Sequence, residues 1–314
     1  MPPIIIHHND DDGRCAAAIV AREIIPIFNR PRREDCFEYK HGYKLIIPNE
    51  TIMNATDIYI VDVAIDSEIL NFVAKVVELR GDKMPPITLI DHHQSSKDWL
   101  EENTDPELNI NKYVSTFVKM GLSATLLTWL YSTFTMEERK QIPDDFDFTK
   151  GYTHLAVHVG KREQREYRIP WAVRLINDWD VWNHELRETK PFNLGFSLLE
   201  DKHPMSDIWD SVIYGDERWL DKEYVQPGRI IQQYQERINE RAIVRSFDIH
   251  LDGIKGLALN QPGGSSLTFG KWIKEYPFVC LFSYDGNAKL WKYSLYSDEN
   301  NGVDVEKIAK NRCF

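Results

Sequence analysis

Three short apolar runs near the start of the chain each end in acidic or histidine residues, and this pattern constrains the fold most. Ile4-Ile5-Ile6 leads into residues 7–13, HHNDDDG; residues 58–61 lead into Asp62; residues 87–90 lead into Asp91-His92-His93. Helical patterns over residues 14–25 and 67–80 separate the runs. Continuously apolar strands alternating with helices predict an α/β fold with a mainly parallel sheet flanked by helices.

The rest of the chain predicts more helices and a second, smaller α+β region. We expect a further strand over 44–47, and helices over 121–134, 170–179, 229–244 and from Val303 onward. Residues 161–168 predict a solvated mixed-charge face, and 192–223 an irregular segment. Strand patterns recur at 247–251, 257–259, 278–282 and 289–296.

Composition limits the partners and the compartment. The apolar fraction of 42% is typical of globular proteins, and the net charge of −11 argues against binding to long duplex DNA. It does not argue against small phosphorylated substrates held through metal ions. The four cysteines form no CxxC pair, and we see neither a signal peptide nor a membrane-length apolar run. We therefore expect a soluble cytoplasmic protein; whether it forms a homo-oligomer stays open.

The carboxyl ends of parallel strands meet at one edge of a sheet, so the three polar clusters are expected to converge there. Carboxylates and imidazoles without thiolates suit Mn²⁺ or Mg²⁺. Taken singly, Asp62 could be a helix cap and Asp10-Asp11-Asp12 a solvated turn, but together the clusters indicate a metal site. Two metal ions about 3.5–4 Å apart can activate water and hold both oxygens of a phosphoryl displacement. Gly13 permits a sharp turn into the next helix.

These residues resemble a known family. His8-x-Asp10-x-Asp12-Gly13, Asp62 and Asp91-His92-His93 are similar to motifs I, II and III of the DHH phosphoesterase superfamily, which includes RecJ-type exonucleases and nano-RNases. It also includes cyclic-dinucleotide phosphodiesterases, family II pyrophosphatases and exopolyphosphatases. The fourth motif is a further aspartate, for which we prefer Asp178, with Asp180 as the alternative.

The resemblance implies two Mn²⁺ ions, with Mg²⁺ as the alternative metal. One would be held by His8, Asp10 and Asp62. The other would be held by Asp12, Asp62, His92 and the fourth-motif aspartate. His93 would face the scissile phosphate, and Asp91 would orient the histidines.

The resemblance also implies the domain division: a DHH catalytic domain over 1–190, a helical connector over 191–245, and a DHH-associated substrate-binding domain over 246–314. Two departures stand out in the last domain. Tyr296 stands where the family often has arginine, and the usual terminal glycine-rich loop is not found before the chain ends in Lys310-Asn311-Arg312-Cys313-Phe314. Arg312 and Tyr296 are the candidate substrate contacts.

We expect a Mn²⁺-dependent phosphodiesterase acting on short single-stranded nucleic acid or small (di)nucleotides. Three alternatives stay open. They are a pyrophosphatase or exopolyphosphatase, a cyclic-dinucleotide phosphodiesterase, and a catalytically weak nucleotide-binding protein.

Overall fold

A parallel β-sheet organises the first part of the chain in the computed structural model, which describes residues 2–103, 112–142, 154–159 and 163–312. For 154–159, 163–167, 299, 311 and 312, only the backbone is described. Among these residues, five strands form the parallel sheet, in the order β2-β1-β3-β4-β5. Their bounds are β1 (Ile4–His8), β2 (Cys36–Tyr39), β3 (Ile58–Val61), β4 (Ile87–Asp91) and β5 (Val114–Val118).

Helices cover both faces of this sheet, which confirms the predicted fold class. The sheet's alternating side chains divide between two hydrophobic clusters: Ile5, Val61 and Ile90 pack in one, and Ile4, Ile6, Ile58, Ile60 and Leu89 in the other. Burial of each such side chain stabilises the fold by roughly 1.5–3 kcal/mol. The helices are α1 (Asp11–Ile19), α2 (Asn49–Asn54), α3 (Ser67–Arg80), α4 (Gln94–Glu102), α5 (Ala124–Thr133), α6 (Met136–Arg139), α7 (Trp171–Asp180), α8 (Thr189–Phe196), α9 (Ile208–Tyr214) and α10 (Glu217–Leu220).

The structure corrects two strand and loop predictions. The predicted strand over 44–47 is wrong, because Ile47 is buried by packing without any strand pairing, and the chain pairs with β1 through β2 instead. The segment 192–223, predicted to be irregular, contains short helices whose Phe192, Phe196 and Trp209 are buried in the core. An apolar residue in the sequence thus predicts burial more reliably than it predicts strand pairing.

The mixed-charge stretch is one strand of a hairpin: β6 (His154–Val159) pairs antiparallel with β7 (Glu163–Arg168). Residues 161 and 162 lie outside the described part. Arg168, at the end of β7, is exposed and donates to Glu217 over 2.8 Å.

The chain divides into two units, residues 1–229 and 230–314, so the predicted connector over 191–245 contributes to both. Helix α11 (Gln226–Ile243) crosses the division. The second unit contains a four-stranded sheet, within the described residues, in the order β11-β10-β9-β8, with only the β9–β10 pair parallel. Its elements are β8 (Phe247–Leu251), β9 (Ile254–Asn260), α12 (Trp272–Glu275), β10 (Phe278–Asp285), β11 (Leu290–Tyr296) and α13 (Val305–Arg312). No helix in the described part of the chain is long and apolar enough to cross a membrane.

Candidate metal centre

The candidate site lies where the strand order reverses. After β2 is placed on one side of β1, the chain returns to place β3 on the other side, and ligands in such sheets bind beyond the carboxyl ends at this point. His8 is the last residue of β1, and Asp10 caps α1 by accepting from the Gly13 N–H over 2.9 Å. The second carboxylate oxygen of Asp10 lies 2.6 Å from His8 Nδ1.

Asp62 lies at the centre of the arrangement. It is buried, it immediately follows β3, and its φ of 59° is a left-handed conformation that costs free energy for a non-glycine residue. Its N–H donates to the Ile90 carbonyl over 3.0 Å, which fixes this backbone. One carboxylate oxygen lies 3.1 Å from His92 Nε2 and the other 3.7 Å from His8 Nδ1. Asp62 therefore stands between the groups that follow β1 and β4.

Asp12 joins the site from the first turn of α1. Its carboxylate accepts from the backbone N–H groups of Ala124 and Thr125, at 2.7 and 2.9 Å, so it caps the N-terminus of α5. This anchoring leaves it 3.9 Å from His92 Nε2. The helix N-terminus stabilises the ionised carboxylate and holds it in one orientation.

Asp91 is buried and holds His93. One of its oxygens lies 2.7 Å from His93 Nδ1, and the other accepts from the Ser96 hydroxyl over 2.5 Å. Ser96 in turn accepts from the Ile65 N–H over 2.9 Å. Burial opposes ionisation of Asp91, but the hydrogen bonds from His93 and Ser96 outweigh it and lower its pKa. The orienting role that the resemblance implied for Asp91 stays a prediction.

The structure places Asp180, and not the preferred Asp178, beside the other groups. Asp180 Oδ2 lies 3.5 Å from His92 Nε2. The Asp178 carboxylate instead accepts from the N–H groups of Glu185 and Leu186, at 3.0 and 3.1 Å, and from the Thr189 hydroxyl. Asp178 and Asp180 are two residues apart near the end of α7, and each residue of a helix turns the side chain by about 100°. The two side chains therefore point in nearly opposite directions, and only that of Asp180 reaches the cluster.

The donor atoms form three overlapping groups, each lying within 4.8 Å: His8, Asp10 and Asp62; Asp12, His92 and Asp180; and Asp62, Asp91, His92 and His93. Every motif I to III residue of the sequence prediction therefore lies in one cluster. Which of them bind metal stays a prediction.

The electrostatics of the cluster fit divalent cations. Burial and the neighbouring Asp180 and Asp62 raise the pKa of Asp12 well above its usual value, and burial raises the pKa of Asp180 to about 6. Although burial disfavours its charged form, the hydrogen bond to Asp62 and the negative charges of Asp12 and Asp180 raise the pKa of His92 to about 10. The oxygens Asp62 Oδ2 and Asp180 Oδ2 are buried and have no hydrogen-bond partner within the described part of the chain. Cations would satisfy these oxygens and remove the repulsion.

The approach of α1 to β1 explains Gly13. A Cβ atom there would lie 2.6 Å from the His8 carbonyl oxygen, so only glycine lets the helix start this close to the strand. Strand alternation places His7 and His8 on opposite faces of the sheet; His7 is buried, and burial lowers its pKa to about 4.

The two candidate substrate contacts lie in the second unit. Tyr296, at the end of β11, is half-buried and packs against the cluster formed by Leu257, Leu259, Phe269, Val279 and Leu281. The backbone of Arg312 ends α13, and its side chain lies outside the described part of the chain. Their contact with substrate stays a prediction.

Sequence reasoning did not single out Ser96 or Lys202. Ser96 could have been found from its place one helical turn after His93, where a hydroxyl can reach back to the strand-end aspartate. Lys202, whose Nζ lies 2.7 and 2.9 Å from the two Asp11 oxygens, is far away in sequence and carried no local signal.

No family model and no curated protein matches the chain. Among solved structures, a pGpG-specific phosphodiesterase from Vibrio cholerae is 11% identical with a TM-score of 0.44, covering 98% of this chain and 88% of its own. An exopolyphosphatase-related protein from Bacteroides fragilis is 11% identical with a TM-score of 0.40, covering 94% and 78%. A putative family II inorganic pyrophosphatase from Methanococcus jannaschii is 12% identical with a TM-score of 0.27, covering 96% and 89%. At identities and TM-scores this low, function has to be argued from the site of this chain.

Proposed function

We propose that this protein is a Mn²⁺-dependent phosphodiesterase that hydrolyses short single-stranded oligonucleotides or small (di)nucleotides. The observation that carries the proposal is the place of Asp62 between the His8–Asp10 pair and the His92-containing groups. Within the described part of the chain, the buried Oδ2 atoms of Asp62 and Asp180 have no hydrogen-bond partner. His8, Asp10 and Asp62 would hold one ion, and Asp12, Asp62, His92 and Asp180 a second. Mg²⁺ is the alternative metal, since oxygen and imidazole ligands suit both.

Divalent ions bound there would lower the pKa of a coordinated water and offset the charge of a substrate phosphate. The chain's own residues would orient the metal-binding side chains and the substrate phosphate. Asp91 holds Nδ1 of His93 and, by this hydrogen bond, raises the pKa of His93, so that the protonated ring of this partly exposed histidine can donate its other N–H to a phosphate oxygen. The α5 N-terminus fixes Asp12, and the Ile90 carbonyl fixes the backbone of Asp62.

The main alternative is hydrolysis of a phosphoanhydride such as pyrophosphate or polyphosphate, which the same metal chemistry would serve. Such substrates carry dense charge and need free cationic side chains. Two cationic side chains line a cavity together with Asp10 and Asp12, and both already have acidic partners: Lys202 contacts Asp11, and Arg14 donates to Glu38 over 2.7 and 3.1 Å. This pairing favours the less charged diester substrates.

The test is a panel of Mn²⁺-dependent assays with short oligoribonucleotides, linear and cyclic dinucleotides, and pyrophosphate. We expect nucleotide release from an oligomer or dinucleotide, and loss of this activity in Asp62→Asn and His92→Ala. Asp82→Asn is the control, because Asp82 is an exposed aspartate in a turn of the same unit. Phosphate release from pyrophosphate alone would favour the alternative, and full activity of Asp62→Asn would exclude the proposed site.

A further inference from the structure

A cavity of about 460 Å³ opens beside the metal cluster, entirely within the first unit. One wall is formed by Asp10, Asp12 and Asp180 of the cluster itself. Volumes of this size are typical of sites for small organic ligands. A molecule bound through its phosphate at the cluster would therefore extend its next chemical group into this cavity.

An aromatic wall also lines the cavity: it contains Trp179, Trp182, Phe192 and Phe196. Trp182 is 52% exposed and packs against Trp179 with ring centroids 5.6 Å apart, while the two phenylalanines are buried. A half-exposed indole next to a phosphate-binding cluster is suited to stacking on a flat ring, whereas phosphate chains gain nothing from such a wall.

The loop that carries Trp182 is held in a strained conformation. Trp182 and His184 have φ values of 59° and 52°, which is costly for bulky residues. The Asp178 carbonyl accepts from the N–H groups of Asn183 and His184, at 3.1 and 3.2 Å, and the Asp178 carboxylate ties down the residues that follow. Asp178 therefore positions the indole at the cavity instead of joining the cluster.

The cavity also offers polar groups at its edge. Asn193 of α8 lines it with an amide that can both donate and accept hydrogen bonds. Lys202 lies with its Nζ 5.1 Å from the centre of the Phe196 ring while it contacts Asp11. An aromatic wall with a few edge hydrogen-bonding groups matches the chemistry of a nucleobase.

We propose that this cavity binds the nucleobase attached, through its sugar, to the phosphate held at the metal cluster, with Trp182 as the stacking residue. This inference rests on the proposed function and narrows it: the substrate is a nucleotide whose base enters the first unit. Trp182 then determines specificity for nucleotides over base-free phosphates.

The test is calorimetric binding of adenosine 5′-monophosphate, guanosine 5′-monophosphate and ribose 5-phosphate to the Mn²⁺-loaded protein. We expect the better-bound nucleotide to bind about 5- to 150-fold more tightly than ribose 5-phosphate, the range that base stacking supplies. Trp182→Ala should remove this preference without changing ribose 5-phosphate affinity. Trp182→Phe, which keeps a stacking face, should retain most of it. In assays, Trp182→Ala should raise KM for a dinucleotide more than it lowers kcat.

Two further variants make the test decisive. Tyr43→Ala, which removes an exposed aromatic ring outside the cavity, should bind every ligand like the wild type. Asn193→Phe puts a large side chain at another residue that lines the cavity, so it should fill the cavity and also remove the preference. It keeps the inference testable if Trp182→Ala does not fold.

Equal affinities of wild type and Trp182→Ala for the nucleotides would overturn the base-binding inference while leaving dinucleotide hydrolysis, and thus the proposed function, standing. Hydrolysis of pyrophosphate alone would instead overturn the proposed function.

Discussion

The five-stranded and the four-stranded sheet of this molecule differ in burial, and that difference explains why only the first reveals its chemistry in the sequence. β1 and β4 are almost fully buried, whereas most of β11 is exposed and carries Trp291 and Tyr293 on its surface. A charged residue that directly follows a buried strand is costly unless it has a partner or a function. A polar residue on an exposed strand is solvated and costs little free energy. Polar and aromatic residues of β11 therefore do not indicate a functional site in the way that those after β1 and β4 do.

The largest expected effect distinguishes two aspartates of the first unit. Asp180→Asn removes a carboxylate from the cluster and should weaken Mn²⁺ binding about 100-fold or more, since even residues behind the ligands affect affinity 10- to 100-fold. The free energy of unfolding without metal should hold or rise, because a repelling buried charge is removed. Calorimetric Mn²⁺ titration and chemical denaturation check both outcomes.

Asp178→Asn should show the opposite pattern. It replaces a carboxylate that accepts three hydrogen bonds, so we expect destabilisation of about 1–3 kcal/mol with Mn²⁺ affinity nearly retained. The same two measurements apply. Equal loss of Mn²⁺ binding in both variants would contradict the placement of Asp180 in the cluster.

A pair of glycine substitutions compares the two units directly. Gly13→Ala puts a Cβ atom 2.6 Å from the His8 carbonyl oxygen and should destabilise the first unit by about 1–3 kcal/mol. Gly286→Ala, in the turn between β10 and β11, meets nothing within 4 Å and should change stability little. Thermal unfolding of both variants tests the difference, and similar melting temperatures would show that α1 does not need this close approach.

Ser96→Ala tests the layer behind the cluster. Loss of its hydrogen bonds to Asp91 and from the Ile65 N–H should reduce activity about 10- to 100-fold through misorientation of His93. Ser95→Ala, one position earlier on an exposed part of α4, is the control. The measurement is kcat with a dinucleotide substrate, and unchanged kcat in Ser96→Ala would argue against the orienting role of Asp91.

The smallest effect belongs to the second unit. The Lys292 ammonium and nearby backbone N–H groups lower the pKa of the half-buried Asp285 to about 2. Because the folded pKa lies below the unfolded value near 3.8, the stabilisation is complete above about pH 4 and is lost as pH falls towards 2. In an NMR titration, Lys292→Ala should raise the Asp285 midpoint towards the unfolded value. An unchanged midpoint would show that the ion pair is absent in solution.

The sequence predicted three strands of the first sheet and its polar edge, because β1, β3 and β4 are apolar runs that end at histidine or aspartate. It did not predict β2, in which Glu38 interrupts the apolar run, or β5, in which Ser115 and Thr116 do the same. The sequence also could not show which of Asp178 and Asp180 joins the cluster. That depends on which of the two carboxylates accepts hydrogen bonds from residues 185–189. The aromatic wall of the cavity depends on the same tertiary arrangement, so no local sequence pattern predicted it.

In the proposed site, Asp62 would be shared by two metal ions. The most direct measurement is the number of Mn²⁺ ions bound per chain, determined by calorimetric titration of the wild type and of Asp62→Asn, His8→Ala and Asp180→Asn. We predict two ions for the wild type, one for His8→Ala, one for Asp180→Asn and none held tightly by Asp62→Asn. Wild-type stoichiometry and affinity in Asp62→Asn would contradict the account.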